Sequence, residues 1–235
     1  MQGRKISVRP LLVLALVLAG PGLTGCGGSD SSQSKAEFAV SITNLTNAQP
    51  FTPPAAVLHE GGYRAWQEGQ SASGGLERLA EGGKTDKFLS AAEANDAVLA
   101  TRTADKGVDP GKDRTLNLKA PTGADFHLTL ASMLAATNDG FTGVNALDIA
   151  DLGVGDSESM LVEAWDAGTE ANTETSATVP GLGGEGYNAA RDSLVDRVTV
   201  HPGVVTQDDG LATSDLTAAQ RFDRPVARVT VTRVQ

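Results

Sequence analysis

Large apolar side chains occupy every second position in several short stretches of the chain, and this two-residue period predicts β-strands with one buried face. The clearest examples are residues 38–45 and 224–234, in which large apolar residues alternate with small or polar ones. Segments of similar character predict further strands at 55–59, 114–119, 126–134, 159–164 and 197–201. Strands joined by turns rich in Gly and Pro indicate an all-β fold, an antiparallel β-sandwich.

Two segments between the predicted strands favour helices, so one or two short helices are expected in the connecting loops. Residues 71–82 combine Leu, Ala and Glu with flanking glycines, which is typical of a short helix. The Ala-rich segment 90–100 is compatible with helix or strand, and we favour a helix. The Pro-Thr-Gly turn at 121–123 predicts a β-hairpin between 114–119 and 126–134.

The start of the chain has the pattern of an export signal. Residues 1–25 contain three basic side chains followed by the apolar run 11–19, which is too short to span a membrane. The tetrapeptide Leu-Thr-Gly-Cys at 23–26 resembles the lipobox of bacterial lipoproteins, in which the thiol is acylated and the chain is cut just before it. Cys26 would then be a lipidated N-terminus, anchored to a membrane without a spanning helix. The alternative is an ordinary cleaved signal followed by an unmodified cysteine.

The remaining chain is expected to form a tether and one domain. Residues 26–35 are small and polar, which indicates a flexible tether between the lipid and a domain at 36–235. The net charge is −10, and removing residues 1–25 removes three basic side chains and no acidic one. Such a surface repels nucleic acid and attracts cations. The single cysteine excludes a disulfide within one chain.

Two acidic loops are the strongest candidates for chemistry. Asp139 lies in a turn after a predicted strand, and Asp166 and Glu170 flank a glycine after another. Hard cations such as Ca²⁺ prefer carboxylate and carbonyl oxygens from loops. These three carboxylates are therefore candidate ligands for Ca²⁺, although acidic residues in turns also act as solvated or capping groups.

Four segments together resemble the spondin domain, the amino-terminal module of F-spondin and mindin that also occurs in bacterial secreted proteins. The segments are residues 38–60, 132–147, 164–174 and 198–204. The resemblance extends over roughly 36–235. It implies a β-sandwich related in architecture to C2 domains, with Ca²⁺ bound at one end by loop carboxylates.

The resemblance also assigns residues to that metal site. The family's aspartate before the aromatic of its first loop corresponds to Asp139. Its D-A-G-T-D loop corresponds to residues 166–170, where Glu170 replaces the second aspartate. Glutamate also ligates Ca²⁺, but its side chain is one methylene longer, so the loop has to relax around it.

Other motifs do not support a catalytic or cofactor site. Residues 181–186 match G-x-G-x-x-G, but they lack the strand-turn-helix context of a nucleotide site, and we expect no nucleotide. His59, His127 and His201 lack the spacing of a zinc motif. The sequence contains no G-x-S-x-G nucleophile elbow.

We therefore expect a non-enzymatic adhesion or interaction module, lipid-anchored to the outer membrane or surface of the bacterial cell envelope, with a protein or glycan partner. One alternative is an exported hydrolase that uses the acidic residues. Such an enzyme needs a carboxyl with a raised pKa in an apolar cleft, whereas polar loops favour the ionised form. The other alternative is a purely structural envelope lipoprotein.

Overall fold

The computed structural model describes residues 34–193 and 195–235. The predicted signal peptide, Cys26 and most of the predicted tether lie outside these residues. The strands are β1 Lys35–Asn44, β2 Ala55–His59, β3 Val98–Thr103, β4 Asp113–Pro121, β5 His127–Met133, β6 Gly140–Asp148, β7 Ser157–Val162, β8 Ala164–Asp166, β9 Thr199–Val200 and β10 Ala227–Arg233. The α-helices are α1 Gly74–Gly82 and α2 Asp86–Glu93.

The strands form two sheets in which neighbouring strands are antiparallel. One sheet has the order β4-β1-β10-β7, and the other has the order β3-β2-β5-β6-β8-β9. The main hydrophobic core contains residues of both sheets. This arrangement confirms the all-β sandwich that the alternating pattern predicted.

Alternation along β1 explains how the core is built. Phe38, Val40 and Ile42 are fully buried, whereas the residues between them are partly exposed. The ring of Phe38 meets that of Phe126 edge to face, with ring centroids 5.0 Å apart. Because Phe126 directly precedes β5 of the other sheet, this contact helps to hold the two sheets together.

The predicted helix over 90–100 is wrong in its second half. Helix α2 ends at Glu93 and β3 begins at Val98, where it pairs with β2. Between them the Asn95 side chain accepts a hydrogen bond from the amide of Ala97 at 3.0 Å, which forms a local turn. Pairing with β2 therefore overrides the helical propensity of an alanine-rich segment.

The predicted hairpin between 114–119 and 126–134 is also wrong. Strand β4 pairs with β1, whereas β5 pairs with β2 and β6 in the other sheet. The turn at 121–123 thus carries the chain from one sheet to the other. The pattern analysis also missed β6, because its first five residues are all buried and do not alternate.

The helical segment covers the outer face of the six-stranded sheet. Helix α1 begins after Ser73, whose hydroxyl accepts a hydrogen bond from the amide of Leu76 at 3.2 Å. Leu76 and Leu79 are fully buried in a second hydrophobic cluster that includes Phe141 of β6. This packing brings the last turn of α1 towards the start of β6. Within the described residues, no helix is long and apolar enough to cross a membrane.

Replacing Phe38 with alanine should destabilise the domain by about 3–5 kcal/mol, because it leaves a cavity between the sheets and removes the contact with Phe126. Denaturant unfolding measures this change. Ser41→Ala, on the partly exposed face of the same strand, is the matched control and should change stability by less than about 0.5 kcal/mol. Equal effects of the two variants would contradict this account of the core.

Candidate metal centre

The two predicted acidic loops lie side by side at one end of the six-stranded sheet. Asp139 immediately precedes β6, and Asp166 ends β8. The two strands pair with Gly140 opposite Asp166, and the amide of Ala167 donates to the carbonyl oxygen of Asp139 at 3.2 Å. Strand register therefore brings together carboxylates that are well separated in sequence.

Asp139 is the centre of the hydrogen bonding in this region, and it is fully buried. Its Oδ2 accepts from the amides of Thr169 and Glu170 at 2.7 and 3.0 Å, and from the Thr169 hydroxyl at 3.2 Å. Its Oδ1 is also buried but has no hydrogen-bond partner among the described residues. An unpartnered carboxylate oxygen in the interior is unfavourable unless a ligand or a proton satisfies it.

The loop after β8 folds tightly around its own acidic residue. Asp166 accepts from the amide of Gly168 at 2.8 Å and from the side-chain amide of Asn172 at 2.9 Å. Gly168 has a φ of 70°, and a Cβ at this position would collide with the main chain of Arg197. Both the left-handed backbone and the close approach require glycine here.

A fourth acidic residue, which the sequence analysis did not identify, lies in the same region. Glu174 is 1% exposed, and its φ of 57° is unusual for a residue with a side chain. Its carboxylate accepts from the amide of Val205 at 3.2 Å, and its own amide donates to Asn138 at 3.2 Å. The chain thus places a buried carboxylate beside the predicted site at the cost of backbone strain.

Burial and mutual repulsion shift the titration of these carboxyl groups. Burial, followed by repulsion from Asp166, raises the pKa of Asp139. Burial, followed by repulsion from Glu81 and Asp139, raises the pKa of Glu170 to about 8. Burial also raises the pKa of Glu174 to about 7, with further repulsion from Asp166 and Asp139. For Asp139 and Glu170, the expectation that these polar loops favour the ionised form is therefore wrong, because burial outweighs the hydrogen bonds that these carboxylates accept.

Positive charge is lacking around these groups. Within residues 34–193 and 195–235, no ion pair involves Asp139, Asp166, Glu170 or Glu174. His201 lies nearby, but burial lowers its pKa, so its ring is neutral near pH 7. Ionised carboxylates in such an environment need a bound cation. A set of oxygen donors fits a hard cation such as Ca²⁺, and the unpartnered Oδ1 of Asp139 offers it a free ligand atom.

The carboxylate oxygens of this region are close neighbours, but they do not converge on one point. In the described part of the chain, the one set of three acidic or histidine side chains with ligand atoms within 4.8 Å of one another is Asp125, His127 and Asp148, so no three carboxylates of the acidic region come this close together. Asp148 lies at the opposite end of β6 from Asp139, and both aspartates of that set are exposed. Binding of one cation by Asp139, Asp166 and Glu170 would therefore require their carboxylate oxygens to move closer together.

A groove of about 980 Å³ lies between β6, β7 and the loop before α1. Its walls include the side chains of Trp66, Met160, Leu161 and Trp165. Asp139, Asp166 and Glu170 do not line it. Trp165 thus contributes to the groove, while the next residue in the chain belongs to the acidic region.

Comparison with known proteins gives one informative result. A family model described as Spondin_N matches residues 34–183, which include every strand from β1 to β8 and both helices. The match ends before β9, His201 and β10. No curated protein matches the chain.

The cation-free protein should become less stable as the pH rises from about 4 to about 8. A carboxyl whose pKa is raised in the folded protein stabilises the fold fully below its ordinary pKa. This stabilisation is lost as the pH rises through the pKa of the folded state. That pKa is about 8 for Glu170 and about 7 for Glu174. Urea unfolding in chelator at intervals across this range measures the slope. Asp139→Asn should flatten it, and a wild-type slope that is flat or rising would contradict the assignment.

Proposed function

The chain belongs to the spondin N-terminal domain family, whose members are extracellular interaction domains, and we propose that it is a non-enzymatic, Ca²⁺-dependent adhesion module held on the bacterial cell envelope by a lipid on Cys26. The observation that carries this proposal is the buried group of acidic side chains without a compensating positive charge. The partner would be a protein or a glycan.

The proposed cation would neutralise the acidic region and connect its loops. Asp139, Asp166 and Glu170 would be its principal ligands, and Glu174 is placed to add a further oxygen. Asp139 directly precedes β6, Asp166 ends β8, and Glu170 and Glu174 lie in the segment that follows β8. A cation bound to all of them would therefore link these loops directly, in addition to the hydrogen bonds that already join them.

Burial argues against an enzymatic role for the same acidic residues. A general acid or base has to reach the substrate, directly or through one water molecule. Asp139 is 0% exposed, and Asp166 and Glu170 are 8% exposed each. The raised pKa values of Asp139 and Glu170 therefore reflect enclosure in the protein, and they favour a cation site over a hydrolase.

Support for the lipid anchor comes from sequence alone. The segment 23–26 resembles a lipobox and follows a short apolar run with basic residues before it. Two or more acyl chains on Cys26 would hold the protein stably at a membrane. The described domain begins with β1 at Lys35, which leaves a small polar segment as the tether.

Ca²⁺ should stabilise the full chain in detergent against heat, and Asp166→Asn should abolish this effect. At ten times its Kd, Ca²⁺ adds about 1.4 kcal/mol of stability, which raises the Tm of a domain of this size by roughly 3–6 °C. Mg²⁺ should have a smaller effect, because it demands a stricter octahedral geometry and dehydrates reluctantly. Thermal unfolding in chelator, Ca²⁺ and Mg²⁺ measures the differences.

The matched control for this experiment is Asp113→Asn, which removes one exposed acidic group from β4. It should keep the wild-type response to Ca²⁺. Identical melting of the wild-type protein in Ca²⁺ and in chelator would overturn the proposed cation site. An equal loss of response in both variants would show that overall charge, and not the site, determines the effect.

Replacing Cys26 with serine should release the protein from membranes, because serine provides no thiol for acylation. Detergent phase partitioning of cell extracts measures the change, with the wild-type protein expected in the detergent phase and Cys26→Ser in the aqueous phase. Incorporation of labelled palmitate in the wild type alone would identify the lipid. Aqueous partitioning of the wild-type protein would contradict lipidation and favour an ordinary cleaved signal.

A further inference from the structure

Helix α1 carries a buried carboxylate that forms no ion pair with any described residue. Glu81 lies in the last turn of α1 and is 1% exposed. Its Oε2 accepts from the amide of Asn188 at 3.0 Å, whereas its Oε1 is buried and, among the described residues, has no hydrogen-bond partner. Buried side-chain oxygens normally have a hydrogen-bond partner, so Oε1 of Glu81 is available to bind a ligand.

The position of Glu81 on the helix makes its charge still less favourable. The C-terminal end of a helix carries a partial negative charge and favours cations, and the last turn of α1 contains no basic residue. The nearby basic side chains are already engaged. Arg191 pairs with Glu77 at 2.7 Å, and Arg78 stacks on the ring of Tyr187, 3.9 Å from its centroid.

Glu81 faces the candidate metal centre. The side chain of Thr169 lies beside Glu81 and donates to Oδ2 of Asp139 at 3.2 Å. Glu81 also exerts the strongest repulsion of any acidic group on the carboxylate of Glu170. Thr169 thus lies beside two carboxylates, Glu81 and Asp139, each of which has one buried oxygen without a hydrogen-bond partner among the described residues.

We propose that Glu81 is a further carboxylate ligand of the cation, contributed by helix α1. This inference rests on the proposed function and extends its ligand set beyond the two loops. Ca²⁺ takes six to eight oxygen ligands. Glu81 would add an oxygen from helix α1, whereas the other candidate carboxylates lie at the end of β8 or in the loops next to β6 and β8. Cation binding would then join the helical layer to the end of the six-stranded sheet.

Two variants of the same helix test this role. Glu81→Gln keeps the shape of the side chain but removes its charge, so it should weaken Ca²⁺ binding about tenfold or more. In chelator the same variant should be more stable than the wild type, because it removes buried repulsion. Glu77→Gln is the matched control: it also removes one charge from α1, but that charge is paired with Arg191. It should lower stability in chelator and change the Kd for Ca²⁺ by less than about twofold.

Isothermal titration of the full chain in detergent with Ca²⁺ gives the Kd, and urea unfolding in chelator gives the stability. Opposite shifts in stability, with loss of affinity only in Glu81→Gln, would support the proposal. Wild-type affinity in Glu81→Gln would overturn it and leave the loop site intact, as expected if Glu81 is protonated. An equal loss of affinity in both variants would also overturn it. Absence of Ca²⁺ binding by the wild type would overturn the proposed function as well.

Discussion

The enclosure of several like charges at one end of a sheet is the constraint on which this structure depends. Asp139 is fully buried, and Glu81 and Glu174 are each 1% exposed. Water cannot solvate them, and no described basic side chain pairs with them. Such an arrangement persists in a folded protein only if protons or cations neutralise it. The acidic region is therefore a feature that opposes folding in the absence of a ligand, and the rest of the domain has to supply the stability that offsets it.

The surrounding backbone is built to hold this region in place. Amides of the loop after β8 converge on Asp139, Gly168 allows that loop to lie against the main chain of Arg197, and Glu174 adopts a strained conformation. Buried strands and helix α1 fix the bases of these loops. Strain and repulsion concentrate where the ligand is proposed to bind, whereas the apolar core stabilises the rest, a division common in functional sites.

Local pattern predicted the strands better than it predicted their partners. Two-residue alternation identified β1 and β10 because one face of each strand is buried. The same reasoning paired β4 with β5 in a hairpin, although they belong to different sheets. Turn residues indicate that the chain reverses, but they do not determine which strand the next segment pairs with. Loop motifs and a family resemblance identified Asp139, Asp166 and Glu170 as candidate ligands. The sequence analysis did not identify Glu81 and Glu174. A glutamate beside the apolar face of a helix or in a polar turn is ordinary in sequence, and only the folded structure shows that these two are buried.

The sheet order has a consequence for how the protein is made. Strands β1 and β10 pair along most of their length, from Phe38 opposite Arg233 to Asn44 opposite Ala227, and β7 is attached to the same sheet through β10. A chain that emerges from a ribosome or a translocation channel in sequence order exposes its first strand long before the last one arrives. One edge of β1 therefore stays unpaired, and the four-stranded sheet stays incomplete, until β10 has been delivered.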